Sequence, residues 1–331
     1  MNVHAFRKQD GDSIRSDRDT RLSPGDTSWL TPLTTTVPRE YVHRASLAEV
    51  FLTRCTRIHE TRFLLTGQWP RAHTFFLSPD GRRHDPMQIA ETMRQVGLHL
   101  AHAEFDVPLG HHFIMWDMSF VSRVEHLGVG RTPTDLDVEA TCVDVVRRRG
   151  KLVEFRLVIT IERDGHLVAN GGGRFTCITE AMYRRLRRSA PATTAHQAAS
   201  HQPAPLPPSD FGRTAPRDVV LAPGGAPNRW RLNADTSHPI LFDHEGDHVP
   251  GMVLLESARQ AACALLPPGS TLIPATVSTE FRRYVEFTSP CWIEASGLAV
   301  TGSGTFHALI TGRQDDDEVF TARISGPVVQ D

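Results

Sequence analysis

A Glu-x-x-Arg-Gln motif occurs twice in the sequence, each time within an apolar stretch that favours an α-helix. The first copy is Glu91, Arg94 and Gln95, and the second is Glu256, Arg259 and Gln260. Residues three apart share one face of a helix, so each carboxylate can meet its guanidinium. Ionised groups inside an apolar helix are costly unless they are paired or used for chemistry. The motif is therefore either a structural ion pair or part of a site, and duplication alone does not distinguish the two.

The residues around the second copy favour it as the reactive one. Pro250 and Gly251 precede the helix, and the exposed N–H groups of its first turn are a candidate oxyanion hole. Arg259 lies near the helix start, where the helix dipole disfavours a cation, so an anionic ligand nearby would stabilise it. In the first copy no glycine follows Pro86. We therefore expect one principal site, centred on Glu256 and Arg259.

The loop before the second helix, 237–251, contains three histidines and several carboxylates. Its residues His244 to His248 match the zinc-protease pattern His-Glu-x-x-His, which requires both imidazoles on one side of a continuous helix. Gly246 and the neighbouring aspartates and proline disfavour a helix here, and no third ligand is evident, so we expect no metal. His238 and His248 are instead general-base or phosphate-donor candidates at a pocket mouth, with ordinary loop histidines as the alternative.

Two further groups could contact a ligand. Arg282 and Arg283 stand at the start of a predicted strand and would ordinarily face solvent, but they could reach an acidic ligand. The run 171–173 of three glycines could suggest a phosphate cradle, but its strand-like surroundings predict a bulge or hairpin element. The candidate substrate-binding residues are Gly251, Gln260, Arg282, Arg283, Glu91, Arg94 and Gln95.

The elements around the motif are also repeated. Each copy has a histidine, His73 or His238, 18 residues before its glutamate (91 − 73 and 256 − 238). Each copy is followed by four segments with the alternating pattern of strands. They are Ile114–Val121, Leu136–Val146, Val153–Glu162 and Gly172–Ile178, then Thr279–Phe287, Cys291–Val300, Thr305–Thr311 and Val319–Ser325. A sheet with one buried face needs a cover, and a helix that is apolar on nearly all sides can supply it. We therefore predict an α+β protein of two tandem hotdog domains, each a long central helix wrapped by an antiparallel sheet.

Composition sets the predicted domain boundaries in this chain of 331 residues. Residues 1–35 are polar and charged without periodicity, which predicts a mobile N-terminal arm. Residues 189–216 are rich in Pro, Ala, Ser and Thr, which predicts a linker. The N-terminal hotdog domain is then 36–188, and the C-terminal one, with the principal site, is 217–331.

Charge and cysteine content exclude several classes of protein. A formal net charge of −2 gives no reason to expect nucleic acid as a partner. The five cysteines are odd in number and form no Cys-x-x-Cys pair, which favours buried reduced thiols in a cytoplasmic protein. No apolar run approaches the roughly 20 residues that span a bilayer, and no apolar signal segment stands at the N-terminus, so we expect neither a membrane association nor export.

Long motifs give the sequence a family resemblance. They are Val37–Arg44, His84–Gln95 and, above all, Thr236–Phe242 with Asp247–Ala262. In these motifs the chain resembles the AfsA-type A-factor biosynthesis proteins of actinomycetes, over both predicted domains but not over the arm and the linker. It is also similar to β-hydroxyacyl-carrier-protein dehydratases in the spacing Pro-Gly-x4-Glu that ends at Glu256, although its loop between His238 and Pro250 is longer.

The resemblance implies an acyltransferase. It would condense a β-ketoacyl thioester of an acyl carrier protein with dihydroxyacetone phosphate, and the ester would cyclise to a butenolide phosphate. The end product would be a γ-butyrolactone, furan or butenolide signal that controls antibiotic production. Such a transfer needs a base, oxyanion donors and a cation for the phosphate, so we expect no metal or other cofactor.

The candidate residues can be given roles in that reaction. Glu256 is the hypothesised base or substrate orienter, with His238 and His248 as further catalytic candidates. Gly251 and the amides after it would bind the oxyanion, and Arg259 would anchor the phosphate or a carbonyl. The first copy, with Glu91 and Arg94, would form either a second site or the facing wall of the first.

Two other functions fit the same residues. One is a hotdog thioesterase or dehydratase that acts on acyl-carrier-protein thioesters. The other is a non-catalytic regulator that binds an acyl or lactone ligand. The oligomeric state is either monomer or homodimer, because an internal duplication can replace the dimer of single hotdog domains.

Overall fold

The computed structural model describes residues 34–190, 206–300 and 304–330, so the predicted arm up to residue 33 and the linker residues 191–205 lie outside it. The first half contains β1 (Leu52–His59), β2 (Arg62–Trp69), α1 (Met87–His99), β3 (His112–Ser122), β4 (Thr134–Arg148), β5 (Lys151–Arg163), β6 (His166–Ile178) and α2 (Glu180–Leu186). The second half contains β7 (Leu221–Ala226), β8 (Arg229–Leu232), α3 (Gly251–Cys263), β9 (Ser270–Leu272), β10 (Thr276–Phe281), β11 (Cys291–Val300), β12 (Thr305–Gln314) and β13 (Asp317–Gln330).

The strands form one antiparallel sheet whose order repeats in mirror image. The order is β1-β2-β4-β5-β6-β3, then β10-β13-β12-β11-β8-β7, with β9 paired to β13. The two halves join where β3 and β10 run antiparallel, with Ser119 opposite Ser278. Each half thus supplies six strands to this strand order. The β3–β10 pairing joins the two hotdog units within one chain.

Each long helix is buried against the strands of its own half. All residues of α1 except Arg94, and all residues of α3 except Gly251, are buried. The two helices also contact each other. Helix α3 is apolar around most of its circumference, as the sequence predicts, whereas α1 also buries the polar residues Gln88, Thr92 and His99. The fold prediction, two tandem hotdog units, is confirmed.

Some strands differ from the prediction. The hairpins β1–β2 and β7–β8 were not predicted, because polar residues interrupt the alternation of β1 and β7 contains Pro-Gly-Gly. The glycines 171–173 form neither a bulge nor a hairpin turn, since they lie inside β6 opposite Ser119 and its neighbours without a register shift. A Cβ at Gly172 would lie 2.0 Å from the carbonyl oxygen of Leu157, so these residues are glycine because the strands approach closely here.

The end of the predicted linker belongs to the folded second half. Pro208–Phe211 forms a 3₁₀ helix, Phe211 is buried, and Arg213 is 5% exposed. In the first half the 3₁₀ helix Arg39–Val42 occupies the equivalent place. All five cysteines are free, and four are buried while Cys55 is partly buried.

Candidate active site

The two copies of the Glu-x-x-Arg-Gln motif form the same buried network. Both oxygens of Glu256 accept hydrogen bonds from Arg259, at 2.7 and 2.9 Å, and Gln260 donates to one of them at 2.6 Å. Arg213 donates to both oxygens as well, at 2.8 and 2.6 Å. Burial disfavours the ionised form of Glu256, but the charges of Arg213 and Arg259 outweigh it and lower its pKa to about 2. A carboxylate held by five N–H donors at that pKa is a poor general base.

Glu91 has the equivalent partners. Arg94 and Gln95 donate to it at 2.7 to 2.9 Å, and Arg44 donates from the segment that precedes the first domain's hairpin at 3.0 Å. Burial opposes ionisation of Glu91 too, and again the charges of two arginines prevail and lower its pKa to about 2.

The second arginine of each network, Arg44 or Arg213, was missed in the sequence. Each stands seven residues after an apolar residue followed by proline, Val37 or Leu206, and five residues before a carboxylate (44 − 37 and 213 − 206; 49 − 44 and 218 − 213). This spacing is therefore a second repeat in the sequence. It was overlooked because its second copy falls in the Pro-rich segment that was taken as a linker. Arg44 also donates to the carbonyl of Ile240 at 2.8 Å, across the two halves. Arg213 contacts the carbonyl of Phe75 in the reciprocal way.

His238 belongs to this structural framework. It is 2% exposed, and its Nε2 lies 3.0 Å from the Asp218 carboxylate. Its Nδ1 accepts hydrogen bonds from the backbone N–H groups of Ile240 and Leu241, at 3.2 and 3.1 Å. His73 makes the same contacts in the first half, with Glu49 and two backbone N–H groups. The equal spacing of the two histidines from their glutamates therefore reflects a repeated loop support.

A cavity of about 690 Å³ lies between the halves. Its wall combines residues of α1, β3 and α2 with the loop before α3, the start of α3 and the turns after β10 and β12. Of the predicted site residues, five line it: Arg94, His248, Gly251, Arg282 and Arg283. Glu91, Gln95, Glu256, Arg259, Gln260 and His238 do not. Arg94 and the start of α3 thus line one cavity from opposite halves, whereas Glu256 and Arg259 lie outside its lining.

The two helix starts differ in their capping, and only the start of α3 lines this cavity. At α1 the N–H of Met87 is bonded to the Asp85 side chain at 2.9 Å, and Asp85 also pairs with Arg213 at 3.2 Å. At α3 the cap position is Pro250, which offers no side-chain cap. The N–H groups of Gly251 and Met252 have no partner within the helix. Both residues line the cavity, so these donors and the positive helix end are available to an oxyanion.

His248 carries a carboxylate partner next to that helix start. Its Nδ1 lies 2.7 Å from Asp247 Oδ1, which also accepts a 2.5 Å hydrogen bond from the Tyr183 hydroxyl. These bonds, with His248 first, keep the pKa of Asp247 well below its usual range despite partial burial. Arg187 donates to the other oxygen of Asp247 at 3.2 Å. An ionised Asp247 only accepts, so Nδ1 of His248 is the donor, and in the neutral imidazole this leaves the lone pair on Nε2, as a base requires.

His43 is a cavity residue that the sequence did not single out. Its φ is 52°, in the left-handed region, where the second half has Gly212 with a φ of 62°. Its Nε2 lies 2.9 Å from Nε2 of His102, whose Nδ1 is 2.7 Å from the carbonyl oxygen of Val107. A carbonyl oxygen can only accept, so His102 donates through Nδ1 and receives the Nε2 proton of His43. Backbone strain at a non-glycine residue is typical of a functional position, and the contact with His102 also fixes the tautomer of His43. The sequence could have indicated this position, because the equivalent residue in the second half is Gly212.

The remaining arginines lie at the rim. Arg282 pairs with Glu318 and with Glu280, and Arg283 pairs with Asp317 at 2.9 Å. Both side chains are about half exposed or more, at 48% and 62%. They therefore reach the cavity edge, but each already has a carboxylate partner.

The residues His244 to His248 lie in an irregular loop without helical turns. In the part of the chain that the structure describes, no group of three or more His, Cys, Asp or Glu side chains could hold a metal ion. None of the helices in those residues is long and apolar enough to cross a membrane.

Two six-stranded halves, each with its central helix and joined through β3 and β10, make this chain a double hotdog protein. The sequence profile of the A-factor biosynthesis hotdog domain matches residues 25–179 and 194–329. The chain belongs to the A-factor biosynthesis hotdog family, and the predicted resemblance is confirmed.

Curated relatives with known names cover almost the same span. A 2-oxo-3-(phosphooxy)propyl 3-oxoalkanoate synthase from Streptomyces virginiae is 46% identical over 292 residues, which are 88% of this chain and 98% of the relative. A synthase of the same name from Streptomyces coelicolor is 39% identical over 291 residues, 88% of this chain and 91% of the relative. The predicted class, an enzyme that forms a 3-oxoalkanoate ester, agrees with these names.

Solved structures of similar fold include acyl-ACP thioesterases. The 12:0-ACP thioesterase from Umbellularia californica has a TM-score of 0.46 and 9% identity over 81% of this chain and 94% of that chain. An acyl-ACP thioesterase from Bacteroides thetaiotaomicron has a TM-score of 0.45 and 12% identity over 79% of this chain and 96% of that chain.

Proposed function

We propose that this protein is an acyltransferase that esterifies dihydroxyacetone phosphate with a 3-oxoacyl group taken from a thioester. The product named for the curated relatives, a 2-oxo-3-(phosphooxy)propyl 3-oxoalkanoate, is the ester that this reaction makes. The observation that carries the proposal is the uncapped start of α3, which lies in one cavity with a carboxylate-bound histidine and Arg94. Oxyanion donors, a base and a cation are the groups that acyl transfer to a phosphorylated alcohol requires.

The chemical step follows from these groups. Nε2 of His248 takes the proton of the acceptor hydroxyl, and the hydroxyl oxygen attacks the thioester carbonyl carbon. The carbonyl oxygen becomes an oxyanion, which receives hydrogen bonds from the N–H groups of Gly251 and Met252. When the carbonyl reforms, the C–S bond breaks and His248 returns the proton to the sulfur. Asp247 and Tyr183 keep the His248 ring oriented throughout.

The apolar part of the cavity suits the acyl chain. Met115 and Phe281 lie next to the start of α3, since a Cβ at Gly251 would be 3.7 Å from each. Phe113 and Leu254 also line the cavity. A chain that leaves a carbonyl bound at Gly251 would therefore pack against these side chains.

Glu256 and Arg259 receive a structural role in this proposal, which replaces the base and anchor first hypothesised for them. Both are buried outside the cavity lining, and their polar groups are used by Arg213, Gln260 and the carbonyl of Phe211. They position the helix that presents Gly251, rather than contacting the substrate.

An acyl carrier protein is the proposed donor of the acyl group. The short helix α2 places Tyr183 and Leu186 in the cavity wall, and its neighbouring arginines, Arg184, Arg185 and Arg188, are exposed. An acidic carrier protein could bind these arginines while its thioester arm enters beside Tyr183. The interaction would position the thioester at the start of α3.

The test is an assay of purified protein with a 3-oxoacyl thioester, with and without dihydroxyacetone phosphate. Ester that forms only with both substrates supports the proposal. Free 3-oxo acid in the absence of acceptor would indicate a thioesterase, dehydration of a 3-hydroxyacyl thioester would indicate a dehydratase, and stoichiometric binding without turnover would indicate a ligand-binding regulator. The variant His248→Gln should lower kcat about 10²-fold or more and leave folding unchanged.

A further inference from the structure

One corner of the cavity has a different charge pattern from the rim. Arg94 donates to Glu91 through Nε and Nη2 and to the carbonyl of Val42 at 3.1 Å. Among the described residues, no hydrogen-bonding partner is found for its Nη1. Arg94 is 17% exposed and lines the cavity, so this donor is open to a ligand.

The chain brings two histidines to the same corner. The Val42 carbonyl that Arg94 holds directly precedes His43. Two residues further on, the Ala45 N–H donates to Asp243 at 2.6 Å, which places the residue after Asp243, His244, beside the same segment. His43 and His244 both line the cavity with Arg94.

We propose that Arg94, His43 and His244 form the subsite for the phosphate of the acceptor, and that this subsite selects a phosphomonoester over an uncharged alcohol. The proposal rests on the acyl transfer proposed above and names where its phosphorylated substrate binds. It replaces Arg259, which is buried elsewhere, and the rim pair Arg282 and Arg283 as phosphate ligands.

The fixed charges at the corner cancel. Arg44 and Arg94 carry two positive charges, and Glu91 and Asp243 carry two negative ones, with Arg44 at 2.8 Å from Glu91 and 3.9 Å from Asp243. A phosphomonoester dianion therefore finds a good donor but no surplus charge, unless the histidines become protonated. The rim also has paired arginines: Arg282 pairs with Glu280 and Glu318, and Arg283 pairs with Asp317. These arginines are about half exposed or more, so water weakens their attraction for a ligand.

The surroundings of both histidines favour the neutral imidazole. Burial, followed by Arg94 and then by His102, His244 and His112, lowers the pKa of His43 to about 3. For His244, partial desolvation and then Arg94 and Arg44 lower the pKa, while Asp243 and Glu91 act in the opposite direction.

The negative charge of a bound phosphate dianion would offset the nearby positive charges that lower the pKa values of His43 and His244, although it would not offset their burial. It should raise both pKa values and draw in protons that bond it.

The experiment is isothermal titration of the full-length protein with dihydroxyacetone phosphate between pH 7 and 9, in buffers of different ionisation enthalpy. The phosphate is already a dianion over this range, since its second pKa is near 6. We expect net proton uptake on binding and a Kd that rises up to about tenfold per pH unit for each proton taken up. Binding without proton uptake and independent of pH would overturn the proposal.

A matched variant exists within the fold. His43→Gly should fold well, because glycine is the residue found at the equivalent left-handed position 212. It should raise Kd for dihydroxyacetone phosphate about tenfold or more and reduce proton uptake, whereas Arg283→Gln should change Kd less than twofold. The reverse ranking of the two variants would assign the phosphate to the rim and refute the subsite.

The acceptor analogue dihydroxyacetone separates this inference from the proposed function. Wild type should prefer the phosphorylated acceptor in kcat/KM, and His43→Gly should lose most of that preference. If wild type makes the ester but His43→Gly keeps its preference, the subsite is wrong and the acyl transfer stands. If wild type binds the phosphate with proton uptake but makes no ester, the acyl transfer is wrong and the subsite stands.

Discussion

Replacing Glu256 by glutamine tests whether this carboxylate has a structural or a catalytic role. The variant Glu256→Gln keeps the size of the side chain but removes the charge that compensates Arg213 and Arg259, both buried. Removing one partner of a buried pair costs about 3–5 kcal/mol. Because Arg213 retains Asp85 at 3.2 Å, we expect the lower end of that range.

The pKa of Glu256 leads to a similar order of magnitude. It falls from 4.5 to about 2 in the folded protein, and at roughly 1.4 kcal/mol for each pKa unit this corresponds to about 3 kcal/mol. Since the folded pKa is depressed, this contribution is fully present above pH 4.5 and is lost as the pH falls towards 2. The difference in stability between wild type and variant should therefore shrink over that window.

The assay is urea unfolding followed by circular dichroism, at pH 7 and at steps down to pH 3, with kcat measured in parallel. Glu91→Gln, in the twin network, should lose a similar free energy of unfolding, and Glu60→Gln, an exposed carboxylate, should change it by less than about 0.5 kcal/mol. A Glu256→Gln protein within 1 kcal/mol of wild type that had lost kcat 10²-fold would refute the structural role and restore Glu256 as a catalytic residue.

Three further outcomes are expected. Asp247→Asn should lower kcat about 10²-fold or more with little change in stability, because the amide no longer orients the base tautomer of His248; an unchanged kcat would remove His248 as the base. The double variant Arg185→Glu/Arg188→Glu should raise KM for a carrier-bound thioester several-fold, but not for a thioester of a small thiol; equal effects would argue against docking at α2. Met115→Ala should shift kcat/KM towards longer acyl chains by several-fold per added methylene, and a loss equal for all lengths would place the chain elsewhere.

The fold was predictable because its signals are periodic. Alternating strands and an apolar helix appear twice, and each has a period that a single sequence shows. The short hairpins lacked such a period, since β7 carries Pro223 and Gly224 inside a strand. The end of the second repeat's linker was misread because proline content suggested a break where Phe211 and Arg213 are buried.

The site was predicted less completely, since its geometry depends on which half faces which. Glu256 and Arg259 are closest in sequence to Gly251, and sequence distance suggested one site on one helix. Glu256 and Arg259 do not line the cavity, whereas Arg94 from the other half lines it together with Gly251. Periodicity and spacing along the sequence do not indicate which residues of the two halves will line the same cavity.

The proposed acyl transfer uses one cavity, and the two halves of the chain differ near it at two pairs of positions. At the helix starts, Asp85 closes the first with its own carboxylate, while Pro250 leaves the second open. The residue near each motif arginine also differs. Gly212 lies near Arg259, whose side chain is 4% exposed, and the equivalent residue His43 lies near Arg94, whose side chain is 17% exposed. The open helix start and the exposed arginine face the same cavity, although they come from opposite halves. In the proposed function, the shared Glu-Arg-Gln networks stabilise the fold of both halves, and the acyl transfer depends on the few residues in which the halves differ.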